Sequence, residues 1–211
     1  GFDAAWTDVV VDMAQNAVTT PLLAERPDFT LSRLTADDRL IELGFYFPLN
    51  PVAPDRLAAA FESDAAGGLM SKTVGPWDRL RFEPAEGFMM GFMDLVFRFE
   101  DRFYLLDWKS NHLGDDPEDY RCDRLEDAMA AHHYGLQYGL YAVALDQYLR
   151  RRMPEYNYDD HFGGVFYLFL RGMAPDKGAG HGVFFDRPSS ERIAVLSDIL
   201  IDQTAISEAA A

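Results

Sequence analysis

The stretch "GFMDLVFRFEDRFYLLDWKSN", residues 91 to 111, decides the fold, because it joins two apolar runs through a short acidic turn. The runs, at about 88–99 and 102–110, have the length and composition of strands, and the turn "EDR" predicts an antiparallel hairpin between them. Three charges interrupt the runs: Asp94, Asp107 and Lys109. Charges inside otherwise apolar strands need an explanation, since burying an unpaired charge is costly.

Asp107 and Lys109 point to the same face of their strand, because side chains two residues apart share a face. Asp94 alone is best explained as a turn former or an edge-strand charge. If the hairpin forms, however, Asp94 lies near Asp107, and one of two adjoining carboxylates becomes protonated unless a cation joins them. Mg²⁺ prefers oxygen ligands and keeps several waters, while Lys109 can stabilise negative charge on a phosphate. The three residues therefore predict a Mg²⁺ site for phosphodiester hydrolysis.

The rest of the chain predicts an α/β fold with a mixed central β-sheet flanked by helices. The run at 162–172 is apolar on both faces, which is typical of a central strand in a covered sheet. The other predicted elements are a helix at 4–18, a loose connection at 19–37, a strand at 40–49 closed by Pro48, a helix at 54–63, a glycine-containing loop at 64–78, a long helix at 123–153, a strand at 181–188 and a serine-capped helix at 189–205.

Composition excludes several classes of protein. The 211 residues are 48% hydrophobic, which suits one folded domain, and no apolar run of 18 or more residues predicts a membrane span. Cys122 is the one cysteine, so an internal disulfide and an all-cysteine metal site are excluded, and a reducing cytoplasm is expected. The net charge of −16 argues against unaided binding to nucleic acid, which normally needs a basic surface.

Two further observations bear on the predicted metal site. Glu42 lies in the apolar run "LIELGFYF", where a solvated strand position and a role in metal binding are about equally good explanations. Gln137 and Tyr141 are four residues apart and so share one helix face, from which they can reach the site. Such pairs occur in most helices, so this spacing alone carries little weight.

Four blocks, in order, resemble the C-terminal nuclease domain of the RecB subunits of RecBCD helicase–nucleases, a family of the PD-(D/E)XK superfamily. The blocks are "GFMDLVF", "YLLDWKSNHLG", "HHYGLQYGLY" and "HFGGVFYLFLRG", and the resemblance is strongest over residues 40–172. It implies a restriction-endonuclease-like fold. It also implies a single nuclease domain with a helical lead-in at 1–37, a catalytic core at 38–190 and a C-terminal helix at 191–211, taken from a longer helicase–nuclease chain.

The resemblance implies a role for each candidate residue. Asp94, Asp107 and the backbone carbonyl of Trp108 would ligate Mg²⁺, for which Mn²⁺ would substitute and which Ca²⁺ would oppose. Lys109 would be the catalytic lysine, and Gln137 and Tyr141 would form the helical motif of the family. Glu42 falls where the family carries an acidic residue on an early strand.

The chain departs from the family pattern at two points. Family members supply a metal-ligating histidine from a helix before the acidic strand, but here no histidine precedes His112. We expect that the chain begins just after that histidine and binds metal more weakly as a result. Related AddAB-type nucleases carry a four-cysteine iron–sulfur cluster, which a chain with only Cys122 cannot form.

The implied function is Mg²⁺-dependent cutting of DNA strands, single or double, that a RecBCD-type helicase unwinds during double-strand-break repair by homologous recombination. The implied partners are DNA, RecC- and RecD-like subunits and the RecA recombinase, in a bacterial cytoplasm and away from membranes. The alternative is a nuclease-fold docking module, for recombinase loading or subunit contact, with little activity of its own. The full set of Asp94, Asp107 and Lys109 favours the nuclease, since a degenerate module would usually have lost one of them.

Overall fold

The computed structural model describes residues 4–62, 72–73 and 85–201 of the chain, and its centre is a five-stranded sheet in the order β1-β2-β3-β4-β5. Neighbouring strands are antiparallel except β3 and β4, which are parallel. The mixed sheet with flanking helices confirms the predicted α/β fold, which is consistent with a PD-(D/E)XK nuclease-like domain. The strands are β1 (Arg39–Val52), β2 (Ala85–Phe99), β3 (Arg102–Lys109), β4 (Phe162–Phe169) and β5 (Val183–Asp186).

Six helices accompany the sheet in the described ranges, and none of them is both long enough and apolar enough to cross a membrane. The predicted loop at 64–78 lies outside the described residues except for 72–73, and so does the end of the last predicted helix. The helices are α1 (Thr7–Thr19), α2 (Pro54–Glu62), α3 (Cys122–Ala131), α4 (Tyr134–Arg152), α5 (Tyr158–His161) and α6 (Ser190–Leu200).

Each face of the sheet has its own hydrophobic core. One face packs against α2, α3, α4 and α6, whose buried side chains include Phe61, Met129 and Leu196. The other face is covered by the segment at 17–34, in which Phe29 is 1% exposed. The predicted lead-in therefore supplies part of the second core.

The predicted hairpin between β2 and β3 is confirmed. Phe99 pairs with Arg102, and the two residues between them, Glu100 and Asp101, have φ of 48° and 63°. A two-residue hairpin turn of type I′ needs positive φ at both central positions. Arg26 donates hydrogen bonds of 3.0 and 2.7 Å to the two carboxylate oxygens of Glu100, which ties the segment before β1 to this turn.

The predicted central strand is also confirmed, because every residue of β4 is buried and the strand lies between β3 and β5. It ends at Phe169, and a short 3₁₀ turn, Leu170–Gly172, follows. The strand predicted at 181–188 is shorter than expected, since β5 begins at Val183, and His181 instead forms an isolated bridge with Arg121.

The predicted end of the first strand at Pro48 is wrong, because β1 continues to Val52. Pro48 still lies opposite Phe88 in the ladder with β2. Strand β1 is at the edge of the sheet, where a residue without an N–H group is tolerated.

The single helix predicted at 123–153 is also wrong, because the chain breaks between α3 and α4. His133 adopts a left-handed conformation with φ of 54°, which no α-helix accommodates. The neighbouring Gly135 packs so tightly that a Cβ atom there would collide with Thr73. The break therefore falls at a histidine, and neither glycine nor proline occupies that position in the sequence.

Candidate active site

The alternation of side chains in β2 shifts by one residue around Asp94. Met93 and Val96 both belong to the helix-covered core, whereas Leu95 and Phe97 belong to the opposite core. In a regular strand, residues three apart point to opposite faces, so the strand must be irregular between Met93 and Val96. Asp94 lies within this irregular part of the strand, and its side chain belongs to neither hydrophobic core.

The partner strand is irregular at the matching position. In the ladder of β1 with β2, Ile41 pairs with Leu95 and Leu43 with Met93, while Glu42 between them has φ of 52°. Glu42 is exposed, which agrees with a solvated strand position, one of the two explanations that the sequence left open. Burial therefore gives no reason to assign Glu42 to the metal, and its role there remains a prediction.

Asp94 reaches across to β3. The ladder between β2 and β3 ends at the pair Leu95 and Leu106, and beyond it Asp94 Oδ2 accepts a hydrogen bond of 2.9 Å from the Trp108 N–H. The N–H and C=O groups of one strand residue point to the same edge. The Trp108 carbonyl is therefore expected on the edge of β3 that faces Asp94, and its role as a metal ligand remains a prediction.

Asp107 and Lys109 are buried together, with 4% and 8% of their surfaces exposed. Lys109 Nζ lies 2.6 Å from Asp107 Oδ2. Burial raises the pKa of Asp107, Lys109 acts in the opposite direction, and the negative charge of Asp94 raises this pKa further. The charged form of Asp107 is thus disfavoured even with Lys109 beside it, and a bound cation would stabilise that form.

Helix α4 brings the two predicted helical residues to Lys109. Lys109 Nζ donates a hydrogen bond of 3.1 Å to Gln137 Oε1, and Gln137 Nε2 donates one of 3.0 Å to the Tyr141 hydroxyl. Burial raises the pKa of Tyr141, and the charges of Asp107 and Asp94 act in the same direction. Tyr141 is therefore neutral and able to donate its hydroxyl proton to an acceptor near the two carboxylates.

Sequence reasoning missed two aromatic residues beside Lys109. Its Nζ lies 3.8 Å from the centre of the Tyr134 ring and 4.8 Å from the centre of the Tyr167 ring. Tyr134 is three residues before Gln137, a spacing that places both on one face of α4. Because both residues lie inside the helix predicted at 123–153, this shared face was a signal in the sequence that could have identified Tyr134. Tyr167 pairs with Asp107 in the parallel ladder, so only the strand order identifies it.

The oxygen donors of this site fit Mg²⁺. Asp94 and Asp107 each use Oδ2 in the contacts above, and their Oδ1 atoms take no part in them. With the Trp108 carbonyl they form a small set of hard donors, and Mg²⁺ usually takes one or two carboxylates and keeps several waters. Within residues 4–62, 72–73 and 85–201, no group of three or more His, Cys, Asp and Glu side chains is arranged to hold a metal ion. Among the described residues, the candidate side-chain ligands are thus the two carboxylates of Asp94 and Asp107, and metal binding by them remains a prediction.

Comparison with known proteins identifies relatives of one kind. The chain is 38% identical over 208 residues to the RecBCD enzyme subunit RecB of Escherichia coli (strain K12), covering 97% of this chain and 17% of that subunit. It is 37% identical over 198 residues to RecB of Haemophilus influenzae (93% and 15%), and 38% identical over 225 residues to RecB of Mycobacterium tuberculosis strain H37Rv (93% and 21%).

No family model matches the chain. It spans between 15% and 21% of the length of these three RecB subunits. The matches nevertheless cover nearly all of this chain, and in each of them the relative is a RecB subunit. The chain belongs to the RecB family, as a domain that corresponds to one segment of the RecB subunit.

Proposed function

We propose that this chain is a Mg²⁺-dependent DNA nuclease domain, which hydrolyses phosphodiester bonds of strands unwound by a RecBCD-type helicase in double-strand-break repair. The observation that carries the proposal is the buried contact of Lys109 with Asp107 and Gln137, next to Asp94. A buried ion pair is weak evidence for stability, because the cost of desolvating both charges can exceed their attraction. A functional role explains the cluster better, since carboxylates with perturbed pKa values are typical of catalytic sites.

Each residue has a part in the proposed reaction. Asp94, Asp107 and the Trp108 carbonyl hold the metal. When bound, Mg²⁺ supplies Lewis-acid stabilisation of the phosphate and activation of the attacking water. The Lys109 ammonium stabilises the negative charge that builds up on the phosphate oxygens, as preorganised cations do in phosphoryl transfer. Gln137 and Tyr141 orient Lys109 and the DNA strand, since Gln137 links their polar groups.

The alternative, a docking module without catalysis, is less well supported. Contact with a partner protein requires neither a buried lysine nor two carboxylates that repel each other. Both features are expected of a nuclease. An ion pair and hydrogen bonds connect the side chains of Asp107, Lys109, Gln137 and Tyr141. Asp94 is bonded to the backbone N–H of Trp108, which lies between Asp107 and Lys109.

The net negative charge of the chain supports the proposal that it acts as part of a larger assembly. At −16 it repels DNA, so a helicase that delivers the strand at high local concentration would remove the need for intrinsic affinity. Five apolar side chains in the described parts of β1 and β2 are 60–71% exposed, which is typical of surfaces that contact another protein. We propose RecC- and RecD-like subunits, and the RecA recombinase, as partners in a bacterial cytoplasm. The exposed side chains are Ile41, Tyr46, Phe88, Met90 and Phe92.

Metal binding is expected to stabilise the fold. Adding excess Mg²⁺ or Mn²⁺ raises the melting temperature, because a ligand that binds only the folded state stabilises it by mass action. Asp94→Asn abolishes this increase, whereas Asp115→Asn, which changes a fully exposed carboxylate, preserves it. The measurement is thermal unfolding with and without metal, and an equal increase in both variants contradicts the assigned ligands.

The same increase depends on pH. Protons compete with the metal for Asp107, whose pKa is raised above the ordinary value of 3.8. The metal-induced rise in melting temperature therefore shrinks as the pH falls towards that raised pKa, at a higher pH than an ordinary aspartate would require. Thermal unfolding with Mg²⁺ across a pH series measures it; an increase that persists unchanged down to pH 3.8 contradicts the role of Asp107.

The proposed function itself is tested by cleavage of end-labelled DNA at low salt. We expect cutting of single-stranded DNA with Mg²⁺ or Mn²⁺, none with EDTA, and inhibition by added Ca²⁺. Absence of products with both Mg²⁺ and Mn²⁺ in excess would favour the docking module instead.

A further inference from the structure

We propose that Tyr134 and Tyr167 form an aromatic clamp that positions Lys109, so that Tyr134 is a positioning residue for the lysine. The clamp is a feature of the structure, and its effect on catalysis rests on the proposed nuclease function. Lys109 Nζ lies 3.8 Å from the centre of the Tyr134 ring and 4.8 Å from that of Tyr167. An ammonium group is attracted to the negative face of an aromatic ring, and more strongly where water is excluded.

The clamp would hold Lys109 in place even when a metal ion competes with it for Asp107. Lys109 lies 2.6 Å from Asp107, and the same carboxylate is a proposed metal ligand. A lysine held by Asp107 alone would compete with the metal for that carboxylate. The two rings and Gln137 Oε1 attract the ammonium from other directions, so its position does not depend on the ion pair.

Tyr167 also fixes the orientation of Gln137. Its hydroxyl donates a hydrogen bond of 2.9 Å to Gln137 Oε1, the oxygen that accepts from Lys109. The opposite end of the amide, Nε2, donates to Tyr141. With these partners the amide oxygen faces the lysine, and a rotated amide would present its N–H groups to the ammonium and repel it.

Tyr134 is itself held in place by two residues: Asn111, in the loop after β3, and His132, just before the helix break. Its hydroxyl donates a hydrogen bond of 3.2 Å to Asn111 Oδ1, in the loop just after β3. Its ring stacks on His132, with ring centres 5.2 Å apart, and His132 Nε2 lies 3.1 Å from Asn111 Nδ2. His133, in a left-handed conformation, precedes the first residue of α4, which is Tyr134. The break between the helices therefore places the Tyr134 ring at the start of α4, next to the lysine.

The clamp is measurable without any cleavage, because the chain has only three lysines: Lys72, Lys109 and Lys177. In protein labelled with ¹³C at the lysine ε-carbon, ring currents should shift the Lys109 ε-protons upfield of those of exposed Lys72 and Lys177. Tyr134→Leu should move the Lys109 signal towards the other two, and Tyr134→Phe, which keeps the ring, should not. Tyr148→Leu, another half-buried tyrosine of α4, is the matched control and should leave the signal unchanged.

Kinetics then separate positioning from packing. We expect Tyr134→Leu to lower kcat roughly tenfold with KM within about twofold, and Tyr134→Phe to recover most of the loss. A Lys109 signal that does not respond to Tyr134→Leu overturns the clamp. A signal that responds while kcat stays unchanged overturns the positioning role. No cleavage by the unaltered chain refutes the proposed nuclease and the positioning role with it, while the spectrum still decides whether the clamp exists.

Discussion

Replacing Lys109 with alanine is expected to lower kcat for DNA cleavage roughly 10²- to 10³-fold, the usual loss when one preorganised group that stabilises transition-state charge is removed. Lys109 is the cation seen next to Asp107, and its ammonium contacts both Asp107 and Gln137. Without it, the charge that develops on the phosphate loses the ammonium group that would stabilise it. The measurement is single-turnover cleavage of labelled single-stranded DNA at saturating protein.

Two further variants sharpen this result. Lys109→Arg should restore little activity, because a planar guanidinium does not fit an enclosure built around an ammonium that is 8% exposed. Lys177→Ala changes an exposed lysine in the loop before β5 and should cleave normally. Cleavage by Lys109→Ala within about threefold of the unaltered chain would contradict the role given to the lysine in charge stabilisation.

Replacing Phe29 with alanine is expected to lower the free energy of unfolding by about 3–5 kcal/mol, the usual cost of truncating a buried phenylalanine. Phe29 lies before β1, yet its ring is 1% exposed. It stacks on Phe99, with ring centres 4.2 Å apart, and meets Tyr104 and Phe166 edge to face. Its removal opens a cavity between the leading segment and the sheet.

Chemical denaturation measures this loss, and Phe88→Ala provides the control. Phe88 is 61% exposed on β2, so its truncation should change the free energy of unfolding by about 0.5 kcal/mol or less. Equal small effects of the two substitutions would show that the leading segment is peripheral to the fold. A large loss for Phe29→Ala alone would show that the segment completes the second core.

The sequence predicted those parts of the fold that depend on local pattern. The hairpin from β2 to β3 follows from two apolar runs and a turn of Glu100 and Asp101, and β4 follows from a run that is apolar on both faces. The helix break at His133 was not predicted, because no glycine or proline occupies that position, and the close approach of Gly135 to the distant Thr73 is visible only in the tertiary structure. The predicted end of β1 at Pro48 was wrong because an edge strand tolerates proline, and only the sheet order shows that β1 is an edge strand.

Two features of the sequence predicted part of the candidate site: the alternation of side chains along a strand and the resemblance to a known family. The shared face of Asp107 and Lys109 follows from period two, and the structure brings Gln137 and Tyr141 to the same place. Glu42 has a positive φ in an edge strand and its side chain is exposed, which the apolar neighbourhood in the sequence did not indicate. Tyr167 reads as a core residue of a buried strand, and only the pairing of β3 with β4 places it beside Lys109.

The central claim is that Asp94 and Asp107 hold the metal with which this chain cuts DNA, and Asp107→Asn tests it most directly. Asparagine keeps the size of the side chain but removes the charge that attracts both Mg²⁺ and Lys109. We predict that single-turnover cleavage of single-stranded DNA with Mg²⁺ falls to the level seen with EDTA in Asp107→Asn, while Asp115→Asn cleaves like the unaltered chain. Cleavage by Asp107→Asn at the unaltered rate would contradict the account.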